Sequence, residues 1–114
     1  MAGAHYCLDN LFCFIDCNNQ QADGPPAHIM GIEPIHEKWA AFGWQTQRID
    51  GNDIAALLTA LETAKAAKGR PHAIVLDTLM GKGVPLFEQR EKNHFIRVDA
   101  AEWAIARDQL EAGA

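Results

Sequence analysis

The sequence predicts an α/β fold built on a parallel sheet with helices over both faces, a three-layer arrangement. Three observations carry this. The apolar runs Leu11–Ile15 and Ala73–Leu76 do not alternate, so they read as strands buried on both faces. Helix-period segments with start and stop signals lie between the strand candidates. The resulting order, strand, helix, strand, helix, strand, helix, is the one that right-handed parallel crossovers produce.

Each element has its own local reason. Residues 2–8 read as the end of a helix, and the first strand lies near 11–16. Residues 18–32 are expected to be a loop, given Asp23-Gly24-Pro25-Pro26 and Gly31. Ile35, Trp39 and Phe42 follow helical spacing near 33–42, and Gly43 is a stop. Residues 44–49 alternate, which fits a second strand near a sheet edge. Asp50-Gly51 is a turn, and Asn52 or Asp53 caps a helix near 53–67. Ile54, Leu57, Leu58, Leu61 and Ala64 form the apolar stripe expected to face the core, with Gly69 and Pro71 closing the segment. The third strand is expected near 72–78, followed by a loop over 79–97. Asp99-Ala100-Ala101-Glu102 has the form of a capping box, with Asp in the first position. The helix that follows, near 100–111, places Trp103, Ala106 and Leu110 on one side.

Size and composition narrow the function classes. A chain of 114 residues is one domain at most. A net charge of −5 with scattered Lys and Arg argues against a nucleic-acid footprint. The longest apolar run is too short to span a membrane, and the first residues lack a basic-then-apolar signal pattern. A cytoplasmic location is therefore expected. Cys7, Cys13 and Cys17 lack a fourth ligand at finger-like spacing, and Cys13 is expected to pack in the core.

The chemistry concentrates after the first strand. Polar residues just past the carboxyl end of a parallel strand sit where open α/β sheets bind ligands. Asn18, Asn19, Gln20 and Gln21 offer amide and carbonyl oxygens suited to a hard cation such as Mg²⁺. The competing reading is a polar turn whose amides cap their own backbone. Met80-Gly81-Lys82-Gly83-Val84 follows the last strand, and its glycines could cradle a phosphate or simply make a flexible turn. His94 stands in the polar stretch Glu88–His94, as a proton carrier or as an ordinary surface histidine. His5, His28, His36 and His72 read as structural, Asp16 and Asp77 as strand ends, and Asp23 as part of a turn.

A family resemblance rests on these residues. His5-Tyr6-Cys7-Leu8-Asp9-Asn10-Leu11, the apolar strand, and Asp16-Cys17-Asn18-Asn19-Gln20-Gln21-Ala22-Asp23-Gly24 resemble the second half of the thiamine-diphosphate signature of transketolases. The likeness is to the amino-terminal section of split bacterial transketolases. It continues through Lys38-Trp39-Ala40-Ala41-Phe42-Gly43-Trp44, Asp50-Gly51-Asn52-Asp53 and Gly81-Lys82-Gly83-Val84, and so covers nearly the whole chain in order. No Gly-Asp-Gly, the first half of the signature, occurs in the sequence. Residues 1–114 are therefore expected to be the carboxyl-terminal portion of that domain, a partial thiamine-diphosphate-binding fold.

The resemblance implies a transferase that moves a two-carbon ketol unit between sugar phosphates with thiamine diphosphate and Mg²⁺. It makes the Asn18 amide oxygen and the Gln20 carbonyl the metal ligands. Met80 would line the cofactor pocket. His94 would contact the diphosphate and assist proton transfer at sugar hydroxyls. The implied partners are a carboxyl-terminal section on a separate chain and a homo-oligomer. The aminopyrimidine-activating glutamate would come from that section, so this chain alone is not expected to be active. The alternative is a non-catalytic α/β remnant or interaction module that no longer binds cofactor.

Overall fold

The computed structural model describes residues 1–90 and 93–113. Three strands, β1 (Phe12–Cys17), β2 (Gln45–Asp50) and β3 (His72–Asp77), form one parallel sheet in the order β1-β3-β2. The helices are α1 (Ala2–His5), α2 (Pro26–Ile29), α3 (Ile35–Ala41), α4 (Ile54–Ala66), α5 (Pro85–Glu88) and α6 (Ala100–Ala112). The chain divides into two compact units. One comprises Met1–Cys17 and Ile32–Thr78; the other comprises Asn18–Gly31 and the residues from Leu79 onward. The parallel α/β class and the three long helices are as the sequence predicts, with boundaries shifted by one or two residues.

In the sheet unit the three strands are flush. Phe12, His72 and Gln45 stand at one level, and Cys17, Asp77 and Asp50 at the other. Successive strand side chains point to opposite faces. Gln47 Nε2 donates to the Ala60 carbonyl of α4 at 2.9 Å, whereas its neighbour Arg48 reaches Glu33, just before α3. Helices therefore cover both faces. Ile74 and Val75, which point opposite ways from β3, are both fully buried. The unalternating run in β3 reads as the doubly covered strand that it is.

β1 departs from its expectation. It is an edge strand, and Phe14 at its middle is 47% exposed. The apolar run is there, but α3 packs over β2 and β3, and α4 over β2. Cys13, expected in the core, is half-buried.

α4 starts at Asp53, whose carboxylate accepts from the Ala55 and Ala56 amides at 2.8 and 3.1 Å. Its buried residues are Ala60 and Ala64, while Ile54 and Leu58 are 65% and 58% exposed. Of the expected stripe, Ala64 is buried and Leu57 and Leu61 are half-buried, and Ala60 joins them on the covered side. Small side chains let the helix approach closely enough for Gln47 to bond its backbone.

His72 is 1% exposed and stacks on Phe12, with ring centroids 5.1 Å apart. Neither ring nitrogen has a hydrogen-bond partner among the described residues. A structural role was expected, and the buried ring packs as a plate at the amino end of β3.

The second unit is organised by α5 and α6. Leu86 N donates to Gln109 Oε1 at 3.2 Å, and Phe87 meets Trp103 edge-on. Val84 and Ala106 are buried. Trp103 and Leu110, which the spacing sets on one side with Ala106, are 55% and 51% exposed. The capping box forms as expected: Asp99 accepts from Glu102 N at 2.9 Å, and Glu102 accepts from Asp99 N at 3.1 Å. Segments read as loops contain the single-turn helices α2 and α5, each opening on a proline at its first position. Glu91 and Lys92, within the polar stretch singled out by sequence, lie outside the described residues.

Candidate functional site

Asn18 follows the last residue of β1 directly, and it opens a tightly bonded loop in the second unit. Its Oδ1 accepts from Gln20 N at 3.0 Å. Asn19 between them takes φ +56°, a left-handed conformation that asparagine tolerates well. Gln21 and Gly24 then bond reciprocally at 2.8 and 3.1 Å, so Asp23 sits at a turn tip as expected. The backbone-capping reading of the Asn18 turn is therefore correct as geometry. It does not use up the amide oxygen, which has a second lone pair.

His94 comes to this loop from 74 residues away. Its Nε2 lies 3.2 Å from the Gln20 carbonyl oxygen. The ring is exposed, so it is open to approach. Three of the four residues singled out by sequence, Asn18, Gln20 and His94, are thus joined by hydrogen bonds within one unit. Met80 stands half-buried in the turn after β3, and no hydrogen bond joins it to them among the described residues.

The Gly81–Gly83 turn is not a free phosphate cradle. Gly83 N donates to Glu88 Oε1 at 2.9 Å, and Lys82 Nζ lies 3.8 Å from the same oxygen. A carboxylate already occupies this nest. Gly81 is required by shape: φ is +76°, and a Cβ there would stand 2.7 Å from Phe87 Cβ. The glycines that looked like a ligand signal fold α5 back onto its own turn.

Sequence reasoning missed the contacts made by the Gln20 side chain. Its Nε2 donates to the Arg90 carbonyl at 3.3 Å, and its Oε1 accepts from Asn93 N at 3.2 Å. Asn93 is anchored in turn, Nδ2 donating to the Phe87 carbonyl at 2.7 Å. Arg90 pairs with Glu102, and its guanidinium carbon lies 5.3 Å from the Phe87 ring centroid. No periodicity or spacing signals partners 70 and 73 residues apart.

The sheet unit carries its own polar network at the carboxyl ends of the strands. Arg48 donates to both Asp77 oxygens at 2.8 Å, and to both Glu33 oxygens at 3.0 Å. Hydrogen bonds from Arg48 hold the Asp77 and Glu33 carboxyls below the usual carboxylate range, with the Ile35 amide adding to the effect on Glu33. The two carboxylates hold the Arg48 guanidinium above its usual range. Burial, then the Glu33 charge, pushes the Cys17 thiol up, so it is no ready nucleophile. Thr78 Oγ1 donates to Asp16, tying the ends of β3 and β1. Asp16 and Asp77 are strand-end residues, as the sequence suggested.

The donor set at the Asn18 loop fits a hard cation in kind. It offers one amide oxygen and one backbone carbonyl, each with one lone pair unclaimed by the bonds described. It is partial in number: two neutral oxygens, and no group of three His, Cys, Asp or Glu near enough to hold a metal among the described residues. Mg²⁺ shares its shell with phosphates and waters, so a partial protein donor set is compatible with a diphosphate-bound ion.

A parallel sheet with helices on its faces, its first strand followed in sequence by a polar loop, is of the α/β class, in which ligands bind beyond the carboxyl ends of the strands. Comparison makes this particular. Residues 1–113 match the family model described as "Transketolase, thiamine diphosphate binding domain". The chain belongs to that family, a transferase family whose amino-terminal domain binds thiamine diphosphate. It is 48% identical, over 99% of its length, to an uncharacterized transketolase family protein, y4mO, of Sinorhizobium fredii, covering 41% of that protein. It is 39% identical to the 6-deoxy-6-sulfo-D-fructose transketolase subunit SqwG of a Clostridium species, over 91% of this chain and 38% of the relative. The chain thus spans about two-fifths of the length of these curated relatives. Among solved structures, transketolase from Campylobacter jejuni matches 77% of the chain and 14% of its own, with a TM-score of 0.70 at 27% identity. The Leishmania mexicana enzyme shares the fold over 98% of this chain and 20% of its own, with a TM-score of 0.67 at 24% identity. Among the described residues no helix is long and apolar enough to cross a membrane.

Proposed function

We propose that this chain supplies part of the Mg²⁺ and diphosphate site of a thiamine-diphosphate-dependent transketolase of the cytoplasm. The observation that carries the reading is the bonded trio of Asn18, Gln20 and His94, in a chain of this family. Asn18 Oδ1 and the Gln20 carbonyl would be the metal ligands from this chain. His94 would contact the diphosphate and assist proton transfer at a substrate hydroxyl. Met80 would line the cofactor pocket. When bound, thiamine diphosphate supplies the carbanion stabilisation that ketol transfer needs. The chain's own residues orient the cofactor's charged end. The substrates in this reading are anionic ketoses: relatives are named for 6-deoxy-6-sulfo-D-fructose and for apulose-4-phosphate, which leaves sugar phosphates as the first choice. A carboxyl-terminal section on a separate chain and a homo-oligomer complete the assembly.

With two neutral oxygens and no Gly-Asp-Gly, the 114 residues by themselves hold the cofactor weakly and turn over no substrate. The same observation favours a second reading, a non-catalytic module that has lost cofactor binding. NMR titration of the chain with thiamine diphosphate and Mg²⁺ separates the two. The first reading expects millimolar, Mg²⁺-dependent perturbation of Asn18 and His94 that Asn18→Ala abolishes. Binding indifferent to Mg²⁺ or to Asn18→Ala refutes the metal role. No perturbation at any concentration supports the module.

A further inference from the structure

We propose that the Gln20 side chain is a positioning residue that sets His94 in the site, a role separate from that of its carbonyl. The proposal rests on the reading of His94 just given, and adds the group that places it. Gln20 is the junction of two segments that are distant in sequence. Its amide uses both ends: Nε2 donates to the Arg90 carbonyl at 3.3 Å, and Oε1 accepts from Asn93 N at 3.2 Å. These two backbone groups stand just before His94. The Gln20 carbonyl then meets His94 Nε2 at 3.2 Å. Side chain and main chain of one residue therefore bracket the segment that carries the histidine.

Both flanks of the clamp are themselves anchored. On one side Gln20 N is bonded to Asn18 Oδ1, and the next residue is locked by the reciprocal Gln21–Gly24 pair. On the other, Asn93 holds the Phe87 carbonyl at 2.7 Å, and Arg90 is fixed by Glu102 and the Phe87 ring. His94 is exposed, and among the described residues its ring is held only by the Gln20 carbonyl at 3.2 Å and a tilted approach to Phe95, with centroids 6.5 Å apart. The backbone beside it therefore weighs heavily in its placement. Only a primary amide of this length donates at one end and accepts at the other. Methionine has nearly the same length and does neither, yet it retains the backbone carbonyl. Gln20→Met thus separates the side chain from the carbonyl that the metal reading uses.

The test is NMR on the whole chain. In Gln20→Met, amide exchange at Asn93 should rise about five- to tenfold, the worth of one net hydrogen bond. The His94 Nε2 nitrogen shift should move toward that of a free imidazole. Exchange at Ile74 and Val75 in β3 should stay unchanged, which shows that the sheet is intact. Addition of millimolar thiamine diphosphate with Mg²⁺ should then perturb the His94 ring in the parent chain and not in Gln20→Met. Unchanged Asn93 exchange and an unchanged His94 shift in Gln20→Met overturn the clamp. An altered clamp with the same cofactor-induced shift at His94 overturns its positioning role. A parent chain whose His94 ignores the cofactor overturns the functional reading instead, while the exchange and ring shifts still decide the clamp.

Discussion

Arg48→Met removes the centre of the strand-end network and leaves Glu33 and Asp77 without their shared cation. Four hydrogen bonds at 2.8–3.0 Å disappear together. The side chains of Arg48, Glu33 and Asp77 are 34%, 52% and 49% exposed, so solvent screens the pairs. An exposed pair is worth about 0.2–1 kcal/mol, and two bidentate pairs sharing one guanidinium belong near the top of that range. A total of about 1–2 kcal/mol follows, or a Tm lower by roughly 4–10 °C for a domain of this size. The pH dependence has a definite sign. Both carboxyls are held below their usual range, so their contribution is fully present above the ordinary carboxylate pKa and is lost as pH falls through the depressed folded values. The gap between parent and variant should therefore be constant from about pH 6 to 8 and close below about pH 4. It should also narrow in about 1 M salt. Thermal melts followed by circular dichroism over pH 3–8 supply the data. A variant melting within about 1 °C of the parent at pH 7, or a gap that persists in acid, refutes the reasoning.

Other changes test single features. Gly81→Ala places a Cβ 2.7 Å from Phe87 Cβ at φ +76° and should cost about 1–3 kcal/mol, read as a lower denaturant midpoint. Thr78→Val removes the donor to Asp16 and should cost about 1 kcal/mol, whereas Thr78→Ser should restore most of it; equal stability of all three proteins would mean that the tie is idle. Asp53→Ala should remove about 1 kcal/mol by uncapping α4, with helix loss visible by circular dichroism.

What the sequence disclosed and what it hid divide along physical lines. Local rules were legible. The Asp99–Glu102 capping box, the Asp53 cap and the turn at Asp23 are short-range hydrogen-bond patterns, and they form as read. The doubly covered strand was legible in β3, where Ala73, Ile74 and Val75 are all fully buried although they alternate between the two faces. The same pattern misled in β1, where apolar residues mark a capacity for burial and Phe14 remains half-exposed. In α4 the stripe was legible at Ala64, which is buried, but its large members Ile54 and Leu58 stay exposed, and close approach to the sheet buries Ala60 instead. The candidate site was legible as residue types on a loop. The Gln20 clamp was not, since its partners lie 70 or more residues away.

The flush ends of the three strands have a consequence for how such a scaffold can change. Cys17, Asp50 and Asp77 finish at a single level, and Asn18, Gly51 and Thr78 begin the three departing segments. A sheet with a level rim behaves like a socket with three independent leads. One lead can lengthen, shorten or change its chemistry without forcing a register slip in the ladder, since no strand overhangs its neighbour. Chemical novelty can then accumulate in the leads while Ile74 and Val75 stay under constant packing constraints. That separation offers a physical route by which one chassis changes the chemistry at its rim while its ladder stays fixed.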